Sequence, residues 1–115
     1  MTTPTTRGQS FSASSARAIV DFIKEMQEDS QRWFPGHGLD LTVLCLGLAG
    51  EAGEVADLMK KFLRGSKSWD EVQPKMEVEI IDVFHYWCLL VGALNIDVDA
   101  VYRKKREHNI ARYEP

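Results

Sequence analysis

Residues 41–62, LTVLCLGLAGEAGEVADLMKKF, constrain the fold more than any other part of the chain. Leu44, Leu48, Val55, Leu58 and Phe62 recur at three- and four-residue steps, the spacing of one face of an α-helix. At roughly 100° per residue, Glu51 and Glu54 fall on or beside that apolar stripe, not on the opposite side. A carboxylate on a buried face is costly unless it is paired or holds a cation. Downstream, MEVEIIDVFHYW sets Glu79 and Asp82 three residues apart inside a second apolar run. Any fold of this chain has to accommodate two apolar helices that each carry an acid pair on the inward side.

The remaining segments read as further helices around these two. Residues 1–13 are polar and predict a disordered tail, leaving 14–115 as one helical domain, an ordinary size for a single core. A first helix is expected over 15–33, capped by Ser14 or Ser15, with Ala18, Ile19, Phe22, Ile23 and Met26 as its face. Phe34-Pro35-Gly36-His37-Gly38 breaks it, and Asp40 stands where an N-cap belongs for a second helix running to about residue 63. Gly50 and Gly53 each cost that helix about 1 kcal/mol relative to alanine, which suggests close approach of a backbone or ligand, or plain helix packing. Gly65 is a stop signal behind Lys60, Lys61 and Arg64.

Ser68 and Glu71 have capping-box spacing, predicting one helical turn before a third helix that Pro74 begins, over 74–94. That helix is apolar nearly all round, and a helix apolar on every side is buried on every side. Covering it in so small a domain calls for a second subunit, so an obligate homo-oligomer is expected. Asn95-Ile96-Asp97 turns the chain into a charged fourth helix over 98–111. No strand pattern or internal repeat is present. The expected class is all-α, a four-helix bundle.

The formal net charge of -3 excludes a general nucleic-acid or membrane-surface binder, and acids interrupt every apolar run short of a membrane span. The N-terminus has no apolar block of the secretory kind, although its Ser/Thr richness has a faint transit-peptide flavour. Cys45 and Cys88 have no partner at zinc-ligand spacing, predicting two buried free thiols and a cytoplasmic protein.

Residues three apart on a helix are neighbours, so two such pairs on facing helices bring four carboxylates together. Each close like-charge pair repels by about 4 kcal/mol at 4 Å with an effective dielectric near 20. The cluster must protonate, splay into water or bind cations, and an all-oxygen donor set selects hard ions, Mg2+ first. Salt-bridged or solvated acids are the plainer alternative. Asp82 and His85 also form a DxxH, but a di-metal carboxylate oxidase wants two Glu-x-x-His segments, which this chain lacks. A bundle that binds metal or nucleotide without turnover is the other alternative. Trp33 and His37 are candidates for base contact, with core packing and an exposed loop as their bland readings; Trp69 and Tyr86 share that ambiguity. Lys60, Lys61, Arg64 and Lys67 read as a solvated face.

The runs LAGEAGEVADLMKKF, EVEIIDVFHYWCLLVGALNID and KKREHNIARY, in that order, resemble the MazG-like members of the all-α nucleoside triphosphate pyrophosphatase superfamily. The family's ExxE…ExxD pattern matches Glu51, Glu54, Glu79 and Asp82, and its K…N..R signature matches Lys105, Asn109 and Arg112. The resemblance implies hydrolysis of a (deoxy)nucleoside triphosphate between the α and β phosphates, giving the monophosphate and pyrophosphate. It implies that the four acids hold Mg2+, with Mn2+ able to substitute, and that they are the catalytic residues. It also implies a homodimer or a homotetramer, and a nucleotide house-cleaning role. Lys105, Asn109 and Arg112, by themselves a solvated basic helix end, become phosphate-binding candidates, and the resemblance suggests a reach toward a neighbouring subunit's acids. The chain has one MazG-like unit, so the regulatory roles of tandem forms do not carry over.

Overall fold

A computed structural model describes residues 17–36 and 40–115. The expected tail, the caps at Ser14 and Ser15, and His37 lie outside the described residues. Those described form four helices and no strand: α1 Ile19–Trp33, α2 Leu41–Leu63, α3 Trp69–Ala93 and α4 Val98–Tyr113. No single one of them is long and apolar enough to cross a membrane.

Local chemistry sets most of the helix ends. The Asp40 carboxylate accepts from the Val43 amide at 3.1 Å and starts α2. Ser68 and Glu71 complete a reciprocal capping box, each side chain accepting from the other's backbone amide at 3.2 Å. Asp97 accepts from the Ala100 amide at 3.0 Å and starts α4. Both α2 and α3 end in Schellman motifs. Gly65 takes φ 77° behind α2, where the Ser66 amide reaches back to the Lys61 carbonyl at 3.0 Å. Asn95 takes φ 50° behind α3, with the Ile96 amide on the Val91 carbonyl at 3.0 Å.

Two expected boundaries are corrected. Helix α1 starts at Ile19, four residues later than its expected start, and Ala18 at its N-cap has no side-chain oxygen to offer. Asp21 in the first turn supplies negative charge to the amide end instead. The second correction is Pro74, which does not begin α3 but lies inside it. The capping box is strong enough to start the helix at Trp69 and carry it through the ring. Pro74 lacks the N–H that would bond the Asp70 carbonyl, and Asp70 is exposed, which leaves that acceptor open to solvent.

Packing is concentrated in the α2–α3 hairpin, with α1 laid against α3. At the turn end, Leu58, Phe62 and Val72 are buried among Met59, Trp69 and Met76, with the Phe62 and Trp69 rings edge to face at 5.3 Å. At the far end, Leu44, Cys88, Leu89 and Val91 are buried, and Phe22 of α1 meets Phe84 edge to face at 5.2 Å. The acids lie between these two apolar blocks.

Helix α4 behaves differently from the other three. It has no buried residue, it leaves α3 at 106°, and it packs against none of the other helices to any extent. The Cα radius of gyration is 17.1 Å, where a compact chain of this length has about 13 Å. The four helices are therefore present, but within one chain they do not close into a bundle. Val78 and Ile81 are 60% and 59% exposed, so the all-round apolar character of α3 is real and one chain does not cover it. Cys88 is buried as expected, and desolvation pushes its thiol up to about 11. Cys45, expected to be buried, is exposed: one chain supplies nothing to pack on that side of α2.

Candidate metal centre

Antiparallel α2 and α3 bring their acid pairs face to face. Glu51, Glu79 and Asp82 each offer a carboxylate oxygen, and the three oxygens lie within 4.8 Å of one another. All three residues are half-buried. One oxygen each of Glu51 and Glu79 is buried with no hydrogen-bond donor. Ionised carboxylates only accept, so these three can bond to one another only where one of them keeps a proton.

Glu54 stands at the exposed rim, beside Glu79 and outside the three-oxygen group. Its carboxyl is held above the ordinary value, first by the hydrogen bond it shares with Glu79 when one of the two is protonated. The Glu79 charge comes next, then burial and the charges of Asp82 and Asp57. For Glu79 the same shared bond acts the other way and favours its ionised form. Burial, the hydrogen bond with Glu51 and the charges of Glu51 and Asp82 outweigh it, so Glu79 too is raised. The pair thus retains a proton more readily than two isolated glutamates, the response expected of crowded carboxylates without a cation.

The donor set fits a hard divalent ion. It consists of oxygen alone, it carries excess negative charge, and two of its oxygens are buried without a donor. Glu51, Glu79 and Asp82 are the residues that would hold the ion, with Glu54 able to swing in from the rim.

The centre opens into a cleft of about 530 Å³ between the two helices, lined by Glu54, Asp57, Lys61, Lys75 and Glu79, with Leu58, Pro74 and Val78 as its apolar walls. Lys61 is paired with Asp57 at 3.0 Å. The Lys61 contact also draws the Asp57 carboxyl below its usual range. On the other side of the acids, two turns before Glu51 on α2 and one turn past Asp82 on α3, Leu44 and Tyr86 border an apolar hollow of about 320 Å³. Phe34, Val43, His85, Leu89 and Ser30 complete it.

Tyr86 follows Asp82 by four residues, and its ring lies against the backbone of Gly47, four residues before Glu51. A Cβ at Gly47 would come within 2.3 Å of the ring. Gly50 and Gly53, the positions where sequence pointed to a close approach, face open space. Gly47→Ala should therefore lower stability in urea denaturation by roughly 1–3 kcal/mol, less up to about 1 kcal/mol of helix propensity gained. In a Tyr86→Ala background the same change should become stabilising. If Gly47→Ala raised the midpoint in the wild-type background, the ring would not be seated on that glycine.

The other candidates are dispersed. Lys105, Asn109 and Arg112 all lie on α4, and none lines the acidic cleft. Asn109 borders a small hollow of α4 itself, and the Arg112 guanidinium sits 5.1 Å over the Tyr113 ring. Trp33 is 57% exposed and lines a hollow on the α1 side with Arg17 and Phe22, away from the acids. His85 faces the α1 side and is no part of the acid group. Lys75 and Gly47 were missed by sequence reasoning. The signal for each is the register: Lys75, Glu79, Asp82 and Tyr86 follow one another at four, three and four residues on α3, and Gly47, Glu51 and Glu54 at four and three on α2.

Compared with protein-family models, curated proteins and solved structures, the chain gives no match.

Proposed function

We propose that the protein is a Mg2+-dependent hydrolase that cleaves a (deoxy)nucleoside triphosphate to the monophosphate and pyrophosphate. The observation that carries this reading is the pair of buried, donorless oxygens of Glu51 and Glu79, in a three-acid cluster that opens into a cleft with cations along it. The resemblance of the acid pairs and of KKREHNIARY to the MazG-like pyrophosphohydrolases supports it. The chemistry is water attack at the α-phosphorus: a P–O bond forms to the water oxygen and the bond to the α–β bridging oxygen breaks. Pyrophosphate leaves with those electrons, and one water proton has to be removed. A bound Mg2+ would offset the phosphate charge and make a water more acidic.

The chain's own residues do the rest. Glu51, Glu79 and Asp82 fix the place where positive charge collects, and with it the place of the phosphates. Glu54 lies outside the triad, and the hydrogen bond it shares with Glu79, followed by the Glu79 charge, raises its proton affinity, so it is the acid placed to accept the water proton. The hollow beside Tyr86 and Phe34 lies on the same axis and offers apolar walls for the base. Lys105, Asn109 and Arg112 are assigned to phosphate through a neighbouring subunit of a homodimer or homotetramer, since in their own chain they stand off the cleft. The two free cysteines accord with a cytoplasmic setting.

The test is a panel of ribo- and deoxyribonucleoside triphosphates with Mg2+, read by pyrophosphate release. Release of pyrophosphate with the matching monophosphate is the expected result. Binding without product would make the protein a nucleotide-binding module, and release of orthophosphate would place the cut at the wrong bond.

A further inference from the structure

Lys75 projects from α3 into the cleft one turn before Glu79, on the same stripe as Glu79, Asp82 and Tyr86. Lys61 faces the same cleft from α2 but is engaged by Asp57. Lys75 makes no ion pair among the described residues, and its charge is felt at longer range by Glu71. An unpaired ammonium at the wall of a cleft, beside a cluster of acids that it does not neutralise, is a site for an anion carried in with the cation. The sequence of groups along the hairpin gives that anion a direction. Leu44 and Tyr86 border the apolar hollow, Glu51 and Asp82 follow, then Glu54 and Glu79, and Lys61 and Lys75 come last. At about 1.5 Å per residue, Lys75 stands roughly 6 Å along α3 from Glu79 and roughly 10 Å from Asp82. That is the side of the acids away from the hollow.

We propose that Lys75 binds the terminal, pyrophosphate end of the polyphosphate chain, so that a triphosphate lies with its base end at Tyr86 and its leaving group at Lys75. This assignment rests on the triphosphate reading for its direction, but the polyphosphate site itself is measurable without turnover. An ammonium held against phosphate oxygens makes charge-assisted bonds. It also balances the charge that grows on the departing pyrophosphate.

The experiment is calorimetric titration of the full chain with inorganic pyrophosphate in excess Mg2+, run alongside triphosphate hydrolysis. The wild type is compared with Lys75→Gln, Lys75→Arg and Lys24→Gln, a charge control on the outer part of α1. Lys75→Gln should weaken pyrophosphate binding about tenfold or more and raise KM for the triphosphate by a similar factor, as loss of one charge-assisted bond does. Inhibition by the monophosphate product should not change. Lys75→Arg should recover most of the affinity, and Lys24→Gln should match the wild type. Equal pyrophosphate affinity in wild type and Lys75→Gln would overturn the assignment, as would a wild type that binds no pyrophosphate. Binding that depends on Lys75 in a protein with no turnover would keep the site and sink the hydrolase reading. Turnover with a KM indifferent to Lys75 would do the reverse.

Discussion

Glu79→Gln should lower pyrophosphate release at least about a hundredfold while leaving the metal-free fold as stable as before or more stable. The two halves of this expectation have one cause. Glu79 is the acid shared by both groupings: it supplies an oxygen to the triad and it faces Glu54. The amide removes one negative charge from a crowded cluster, which relieves repulsion when no ion is present, and it removes a ligand charge when one is. The pH dependence follows from the raised carboxyls. A carboxyl that keeps its proton more tightly in the folded state adds stability below its ordinary value of 4.5, and loses it as pH rises through the folded value. Metal-free wild type should therefore lose stability relative to Glu79→Gln as pH climbs from about 4.5 toward neutrality, and Mg2+ should reverse the difference. Thermal midpoints across that pH range, with EDTA and with Mg2+, check both signs. Full activity in EDTA, or a Glu79→Gln protein with wild-type turnover, would remove the metal centre from the mechanism.

Light scattering at micromolar concentration should give a particle of at least twice the 13.1 kDa chain mass. The reason is the uncovered surface of the hairpin. Val78, Ile80 and Ile81 on α3 and Val43 and Leu46 on α2 are exposed in one chain, and so is Cys45. Burying one such side chain contributes about 1.5–3 kcal/mol, so covering several of them is comparable to a small domain's whole margin of stability. A surface of that kind is normally an interface, and a two-fold pair is the commonest way to close it. Ile81→Glu should shift the protein to monomer and abolish activity together, while one chain's cluster of Glu51, Glu79 and Asp82 stays intact. Mixing Glu54→Gln chains with Arg112→Ala chains should restore activity that neither has alone, because α4 stands off its own cleft. A folded, active monomer would refute both expectations.

Much of this fold was legible because its signals are local. Asp40, the Ser68–Glu71 box, Gly65 and the 3.6-residue stripe of Leu44, Leu58 and Phe62 each act within a turn or two, and each did what its chemistry predicts. Of the four acids expected to converge, Glu51, Glu79 and Asp82 do, since i, i+3 acids on two inward faces have few other places to go, while Glu54 stands at the exposed rim. Pro74 misled because its preference for a first turn is weaker than a capping box six residues earlier. Cys45 misled because periodicity identifies an apolar environment without saying whether its own chain or another supplies it. The stand-off of α4 was invisible for a related reason. A charged helix with short connections has the same pattern whether it closes its own bundle or reaches for a neighbour's.

The hairpin has a further consequence, for the order in which the chain acquires its parts. All four acids lie on two consecutive helices joined by residues 64–68, and both helices carry their own start and stop signals. The contacts that bring Glu51 to Asp82 join two helices adjacent in sequence, and chains dominated by contacts between adjacent helices fold fast. A chain emerging from synthesis can thus gather its full negative charge as soon as residue 93 is free, before α4 exists. If the cluster holds a divalent ion as proposed, that ion would bind the folding hairpin from that moment and not only the finished protein, adding its binding energy to an early step of folding.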